Sequence, residues 1–171
     1  MLQLADAFDL PVLSLIDTPG FMVGPDSEAA AAVRKTSRLF INASTLGVPM
    51  FAVVLRKAYG LGAQAMAGGS TLAPVFCVAW PTGEFGGMGL EGSVRLGYRR
   101  ELEAETDPEA KQALFDKLLG SLYARGKAIN VAASLEIDAV IDPADTRRWI
   151  VEGLRTCRTR HGPRRRFVDA W

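Results

Sequence analysis

An α/β fold is predicted for this chain by two observations. Residues 10–16, 48–55 and 71–80 are short apolar runs of strand length, each bounded by turn residues such as Gly20, Pro49 and Pro81. The segments between them carry apolar residues at helical spacing, and strand, helix, strand, helix, strand is the order of a parallel sheet packed by helices. A length of 171 residues fits one domain able to bury a substantial core.

Each element has a local reason. Residues 1–8 read as the end of a helix whose early turns are missing, so the chain is expected to begin inside a larger design. The run 10–16 closes in the turn Asp17-Thr-Pro-Gly20. A helix follows, with Asp26 or Ser27 as cap and Ala29, Val33, Thr36, Phe40 and Ala43 three or four apart; Gly47 and Pro49 stop it. Past the strand 48–55, a Gly-rich turn leads into a small-residue helix, and a third strand, 71–80, ends at Pro81. Residues 90–102 read as helical. Asp107-Pro108-Glu109 starts a helix that carries Leu114, Leu118 and Leu122 on one face through Arg125. A short strand at 137–141 and a last helix opened by Asp142-Pro143 complete the domain near Leu154. The expected organisation is one domain over 1–154 and a basic tail over 155–171.

Composition narrows the function classes. The chain is 49% hydrophobic and 23% charged, with a net charge of +1, which gives no bias towards nucleic acid or membranes. Residues 101–109 are acidic and Arg155, Arg158, Arg160 and 164–166 are basic, as expected of a solvated connection and a terminal or interface tail. Cys77 lies in an apolar run, far from Cys157, and forms no metal or redox motif with it. No signal peptide or membrane span is legible, so a cytoplasmic protein is expected.

Three motifs suggest chemistry and fall short. Asp17-Thr-Pro-Gly20 matches the Asp-x-x-Gly element of GTPases, but the phosphate-cradling G-x-x-x-x-G-K-[ST] loop is missing. Residues 87–92 match G-x-G-x-x-G, yet the preceding strand is expected to end at Trp80 and Asp107 belongs to a helix cap; a tight turn beside a pocket is the better reading. His161 is the only histidine and sits in the Arg-rich tail, away from any nucleophile pattern. Glu84 and Glu91 flank the Gly-rich turn and could pair as carboxylates. Metal-ligand spacing is missing.

The most informative stretch is 53–68, an apolar strand running through Gly60, Gly62 and Ala63 into a helix. The first N–H groups of such a helix have no partner within it and suit a developing negative charge. The same small residues also suit tight helix–sheet packing, and the residues alone leave both readings open.

Five ordered motifs carry a resemblance: Asp-Thr-Pro-Gly-Phe (17–21), Arg-Lys-Ala-Tyr-Gly-x-Gly-Ala (56–63), Ala-Trp-Pro (79–81), Met-Gly-x-Glu-Gly (88–92) and Asp-x-Val-Ile-Asp-Pro-x-Asp-Thr-Arg (138–147). Up to about Leu154 the chain resembles the C-terminal half of the carboxyltransferase (β) component of biotin-dependent acyl-CoA carboxylases, the propionyl-CoA carboxylase-like family. Residues 127–133 and the ending Arg-Arg-Phe-Val-Asp-Ala-Trp are more similar to the branch in which biotin carboxylase, carrier and carboxyltransferase share one polypeptide.

The resemblance implies a crotonase-like fold of ββα units. It also implies an active site shared between the N-terminal domain of one subunit, which holds the acyl-CoA thioester, and the C-terminal domain of another, which receives carboxybiotin. Gly62 and Ala63 match the pair whose amides face the ureido oxygen of biotin. Tyr59, Gly60, Gln64, Ala65, Phe21, Met88 and Gly89 match positions around substrate and biotin, and a small residue at Ala65 hints at room for a longer or branched acyl group. Implied partners are an N-terminal carboxyltransferase domain, the biotin carboxyl carrier, biotin carboxylase, and further copies in a dimer or trimer of dimers. Two rivals remain: another crotonase-fold acyl-CoA enzyme (hydratase, isomerase or decarboxylase) using Glu84 or Glu91, and a non-catalytic half-enzyme acting only in assembly.

Overall fold

The computed structural model describes residues 1–157. In chain order its elements are α1 (Leu2–Ala7), β1 (Val12–Thr18), α2 (Pro25–Ala29), α3 (Ala32–Ser44), β2 (Met50–Tyr59), α4 (Gly60–Met66), β3 (Phe76–Ala79) and β4 (Glu84–Gly86). They continue with α5 (Leu90–Gly97), α6 (Arg99–Ala104), α7 (Pro108–Arg125), α8 (Ala128–Ala133), β5 (Ala139–Val140) and α9 (Thr146–Thr156). The sheet runs β1-β2-β3-β5, with β4 also on β2, and every pairing is parallel.

β2 organises the domain because it is long enough to serve two neighbours on one edge. Phe51 to Val54 pair with β3, and Lys57 to Tyr59 pair with β4. Alternation along a strand sends successive side chains to opposite faces. Ala52, Val54 and Ala58 therefore join Ile16, Cys77 and Ala79 in a core beneath α4 and α8. Phe51 and Val53 join Phe76 and Val78 on the other face, against Trp149 of α9. Phe76 packs edge-on to Trp149, ring centroids 5.6 Å apart, and tilted on Phe51 at 5.0 Å; such pairs add about 1 kcal/mol to the area they bury.

The α/β class and parallel sheet are as the sequence predicts, and several boundaries differ for identifiable reasons. The second strand continues past residue 55 to Tyr59 because β4, unread in the sequence, supplies a partner for its end. The strand expected over 71–80 shrinks to Phe76–Ala79, since only those residues align with β2. The helix expected from Asp26 breaks where Ala31 takes φ +55, giving α2 and α3; Gly24 and Pro25 start it without a side-chain cap. The helix expected over 90–102 divides at Tyr98 into α5 and α6. α8 has no clear signal in the sequence, and the strand expected at 137–141 pairs only through Ala139 and Val140.

Asp107 caps α7 as expected, its carboxylate accepting from the Glu109 and Ala110 N–H groups at 3.3 Å each. Asp142 caps a single 3₁₀ turn, Pro143–Asp145, which leads into α9. Among the described residues no helix is long and apolar enough to cross a membrane, and no three His, Cys, Asp or Glu residues gather as metal ligands. His161 and the basic tail beyond Cys157 lie outside the described residues.

Candidate active site

The site grows from the corner where β2 becomes α4. Tyr59 ends the strand with extended backbone (φ −107°, ψ 128°), and Gly60 opens the helix at φ +56°, a conformation that an L side chain rarely adopts. A Cβ on Gly60 would also stand 2.6 Å from the Gly87 carbonyl oxygen. On the other side the Asp17–Gly20 turn closes in. A methyl on Gly62 would lie 2.9 Å from the Gly20 Cα, and Gly20 itself sits at φ +102°.

This geometry leaves the helix entry short of acceptors. The Gly62 N–H belongs to the first turn, which has no partner within the helix. The ordinary acceptor for the Ala63 N–H is the Tyr59 carbonyl, and that oxygen lies against Gly20, 3.4 Å from where a Cβ there would be. Among the described residues neither N–H donates to any group outside the helix.

Beside this corner lies a cleft of about 450 Å³, within the range of roughly 300–1,000 Å³ usual for ligand pockets. Its walls come from α4, the β4–α5 turn, α7 and α8. Ile16, Val54, Ala58 and Leu90 are apolar lining, while Gln64 and Ser93 supply uncharged polar groups. Neither side chain makes a hydrogen bond to another described residue.

Of the residues singled out in the sequence, Gly60, Ala63 and Gln64 line the cleft. Positions i, i+3 and i+4 of a helix share one face, and this is that face of α4. Gly62 is buried against Gly20 rather than lining the cleft. Ala65, 2% exposed, also stays off the lining, on another face of the helix. Phe21 is half-buried, Met88 exposed, and Gly89 forms the N-cap of α5; none of the three lines the cleft. Tyr59 is 3% exposed, and its hydroxyl donates to Glu84 Oε2 at 3.0 Å.

Two acid–phenol pairs stand around the β4–α5 turn. Burial, then the Glu84 contact, pushes the Tyr59 phenol above its usual range. The Tyr123 hydroxyl donates to Glu91 Oε1 at 3.3 Å, and burial followed by the Glu91 charge raises that phenol too. Glu84 and Glu91 are thus each engaged by a tyrosine, and neither lines the cleft. Near the end of β1 the Asp17 carboxyl is held below its usual range, first by the Lys57 N–H at 3.1 Å and then by Arg56 at 3.2 Å.

The cleft wall formed by Phe85, Gly86, Leu90 and Ser93 has one signal in the sequence, the G-x-G-x-x-G spacing at 87–92. The strand expected to end at Trp80 does end there, as β3 at Ala79, but the unread β4 follows and ends at Gly86, immediately before this motif, and α5 begins at Leu90. The motif does occupy a strand-to-helix turn, and it closes one side of the cleft. The contributions of α7 and α8 (Leu122, Arg125, Val131) have no local signal, because only tertiary packing brings them there.

A parallel α/β domain with this strand–glycine–helix corner is a crotonase-like domain. The chain belongs to the carboxyl transferase domain family, whose model matches residues 1–167. It is 36% identical over 160 residues to the propionyl-CoA carboxylase carboxyltransferase subunit of Haloferax mediterranei, covering 93% of this chain and 30% of that protein. The methylmalonyl-CoA carboxyltransferase 12S subunit of Propionibacterium freudenreichii subsp. shermanii is also 36% identical, over 93% of this chain and 30% of the relative. The chain thus spans about 30% of the length of these curated relatives.

Among solved structures, a single-chain, multi-domain long-chain acyl-CoA carboxylase matches with TM-score 0.77 and 57% identity, over 88% of this chain and 14% of that one. The transcarboxylase 12S hexamer, with methylmalonyl-CoA bound, matches with TM-score 0.81 and 32% identity, over 97% of this chain and 32% of that one.

Proposed function

We propose that this chain is the carboxybiotin-receiving half of an acyl-CoA carboxyltransferase, moving a carboxyl group from carboxybiotin to the α-carbon of an acyl-CoA thioester. The observation that carries the reading is the entry of α4. In a member of this family, the N–H of the cleft-lining Ala63 and that of the neighbouring Gly62 make no bond outside the helix.

The lining fits a neutral ureido ring. An apolar floor meets the uncharged Gln64 and Ser93, free to orient a carbonyl or ring N–H, while Arg125 and Glu136 add one charge of each sign to the lining. Carboxybiotin, when bound, would supply the carboxyl group and leave negative charge on the ureido oxygen, and the freed ring nitrogen would take the α-proton that the new carbon–carbon bond replaces. The Gly62 and Ala63 N–H groups are our candidates to stabilise that charge, each worth about 3 kcal/mol in a water-poor site. Ile16, Val54, Ala58 and Leu90 exclude water there, which strengthens those dipoles.

An N-terminal carboxyltransferase domain would hold the thioester, with a biotin carrier and biotin carboxylase supplying the donor and further copies completing the oligomer. The 57% identity to a long-chain acyl-CoA carboxylase supports testing acyl-CoAs longer than propionyl-CoA. The engagement of Glu84 and Glu91 with tyrosines argues against a hydratase-type acid.

The test combines the chain with a carboxylated biotin carrier and an N-terminal domain and follows label transfer to propionyl-, octanoyl- and palmitoyl-CoA. Transfer to at least one is expected, and Gly62→Pro, which removes one donor, should reduce it by about a hundredfold. No transfer in any combination overturns the proposal, and a folded Gly62→Pro variant with full rate overturns the role of the Gly62 amide.

A further inference from the structure

We propose that Tyr59 is a positioning residue: its hydroxyl fixes Glu84, and through Glu84 the β4–Gly87 wall of the cleft, in the place that carboxyl transfer requires. The inference rests on the carboxyltransferase reading and goes beyond it, because it moves Tyr59 from ligand contact to the scaffold beneath the site.

β4 is a short wall, anchored by Phe85 on the core and by the Ala128 N–H donating to the Gly83 carbonyl at 3.0 Å just before it. It is three residues long, and its ladder partner is the last stretch of β2, through Lys57–Glu84, Ala58–Phe85 and Tyr59–Gly86. On its other side it has the isolated bridge between Glu84 and Lys127, with the Phe85 N–H donating to the Gly126 carbonyl at 2.8 Å. Yet Phe85, Gly86 and Gly87 all line the cleft, and the Gly87 carbonyl oxygen comes within 2.6 Å of where a Cβ on Gly60 would stand. A small shift of β4 would move both the wall and the backbone that confines the first residue of α4.

Tyr59 joins these parts from below. It is the last residue of β2 and 3% exposed, and its hydroxyl bond to Glu84 runs from the strand that launches α4 to the first residue of β4. Neither partner lines the cleft. A hydrogen bond to a carboxylate is among the stronger kinds, and removing the donor leaves a half-buried acceptor without its best partner. Tyr59→Phe deletes only the hydroxyl and keeps the ring, which packs 3.5 Å from the Cβ position of Gly86.

The test uses the assembled carboxylase carrying this chain. Tyr59→Phe and Glu84→Ala should each lower kcat about tenfold with KM for the acyl-CoA little changed, and the double variant should be no worse than either single one. Glu84→Gln keeps an acceptor oxygen and should recover most of the rate. Hydrogen exchange read by mass spectrometry should rise over residues 84–88 in the two impaired single variants and stay unchanged over β3.

A folded Tyr59→Phe variant with wild-type kcat, or losses that multiply in the double variant, overturns the proposal. Should Tyr59→Phe fail to fold, Glu84→Ala against Glu84→Gln decides by the same readouts. A wild-type assembly that transfers nothing overturns the carboxyltransferase reading instead, and exchange over 84–88 then decides whether the hydrogen bond holds the wall.

Discussion

Gly62→Ala sets two effects of known size against each other. In an exposed helix interior, alanine is favoured over glycine by about 1 kcal/mol. Here the new methyl would stand 2.9 Å from the Gly20 Cα, 3.0 Å from the Gly20 carbonyl carbon and 3.3 Å from Thr18 Oγ1. Two of these three atoms are backbone, in a turn held by the Gly20 N–H donating to Thr18 Oγ1 at 3.3 Å. No side-chain rotation relieves that contact, so the cost falls in the upper part of the roughly 1–3 kcal/mol typical of overpacking. Overpacking therefore wins by about 1 kcal/mol, equivalent to a fall in Tm of about 3 °C for a domain of this size. The strain is relieved by lifting the first turn of α4, which displaces the Gly62 and Ala63 amides by a few tenths of an ångström. Transfer should drop by about tenfold, since a misplacement near 1 Å costs about a hundredfold. Thermal melting and label transfer on the same preparation check both effects. A variant that melts higher than wild type and keeps full rate refutes the close packing of Gly20 on Gly62 and the need for it.

Two further predictions concern titrating groups. Asp17 has a folded pKa below its ordinary value of 3.8, so its contribution to stability is present above that value and is lost as pH falls through the folded one. The gap in Tm between wild type and Asp17→Asn should be open near neutrality and close in acid, as thermal melts across that range would read; a gap that widens in acid contradicts the assigned partners. Burial pushes the Cys77 thiol up to about 12, whereas Cys157 is only half-buried. At mildly alkaline pH a thiol reagent should label Cys157 first and reach Cys77 only after denaturation, as mass spectrometry of the labelled peptides would show. Equal labelling in the folded protein would refute the burial of Cys77.

The parallel sheet was legible because its central strands carry the apolar runs 50–55 and 76–79, and α7 because Asp107-Pro108 is a strong local start. The cleft was harder to read. β4 is too short to show a period and exists because β2 outruns β3, a fact of strand length that no window around residue 84 contains. α8 reads as a small-residue segment whose burial beside β4 and β5 decides its state. At the β2–α4 corner the glycines were legible, yet the division of α4 into cleft-lining 60, 63 and 64 and buried 62 and 65 depends on which face meets the Asp17 turn. The resemblance placed Tyr59 around substrate and biotin, and no local pattern showed that its hydroxyl donates to Glu84, twenty-five residues on.

The Asp17-Thr-Pro-Gly20 turn shows why a motif's meaning is tertiary. β1 and β2 stay in register to Ile16 and Val54 and then slip, so that Thr18 meets Ala58 and Asp17 faces Leu55, Arg56 and Lys57. Such a slip leaves main-chain groups of β2 without ladder partners, and the Asp17 carboxylate takes the Lys57 N–H. The accompanying ion pair with Arg56 is 36% and 60% exposed on its two sides and contributes little in water. The backbone contact is therefore the more consequential of the two, which agrees with its place as the first cause of the lowered Asp17 pKa. Beyond the slip, β2 reaches Tyr59 with Gly20 close to its carbonyl, and with Gly60 at φ +56° the Ala63 N–H makes no bond to that oxygen. In a GTPase the same four letters would serve a magnesium-bound phosphate. Here, with no phosphate loop in the sequence, they accompany a change of strand register and pack against the entry of α4.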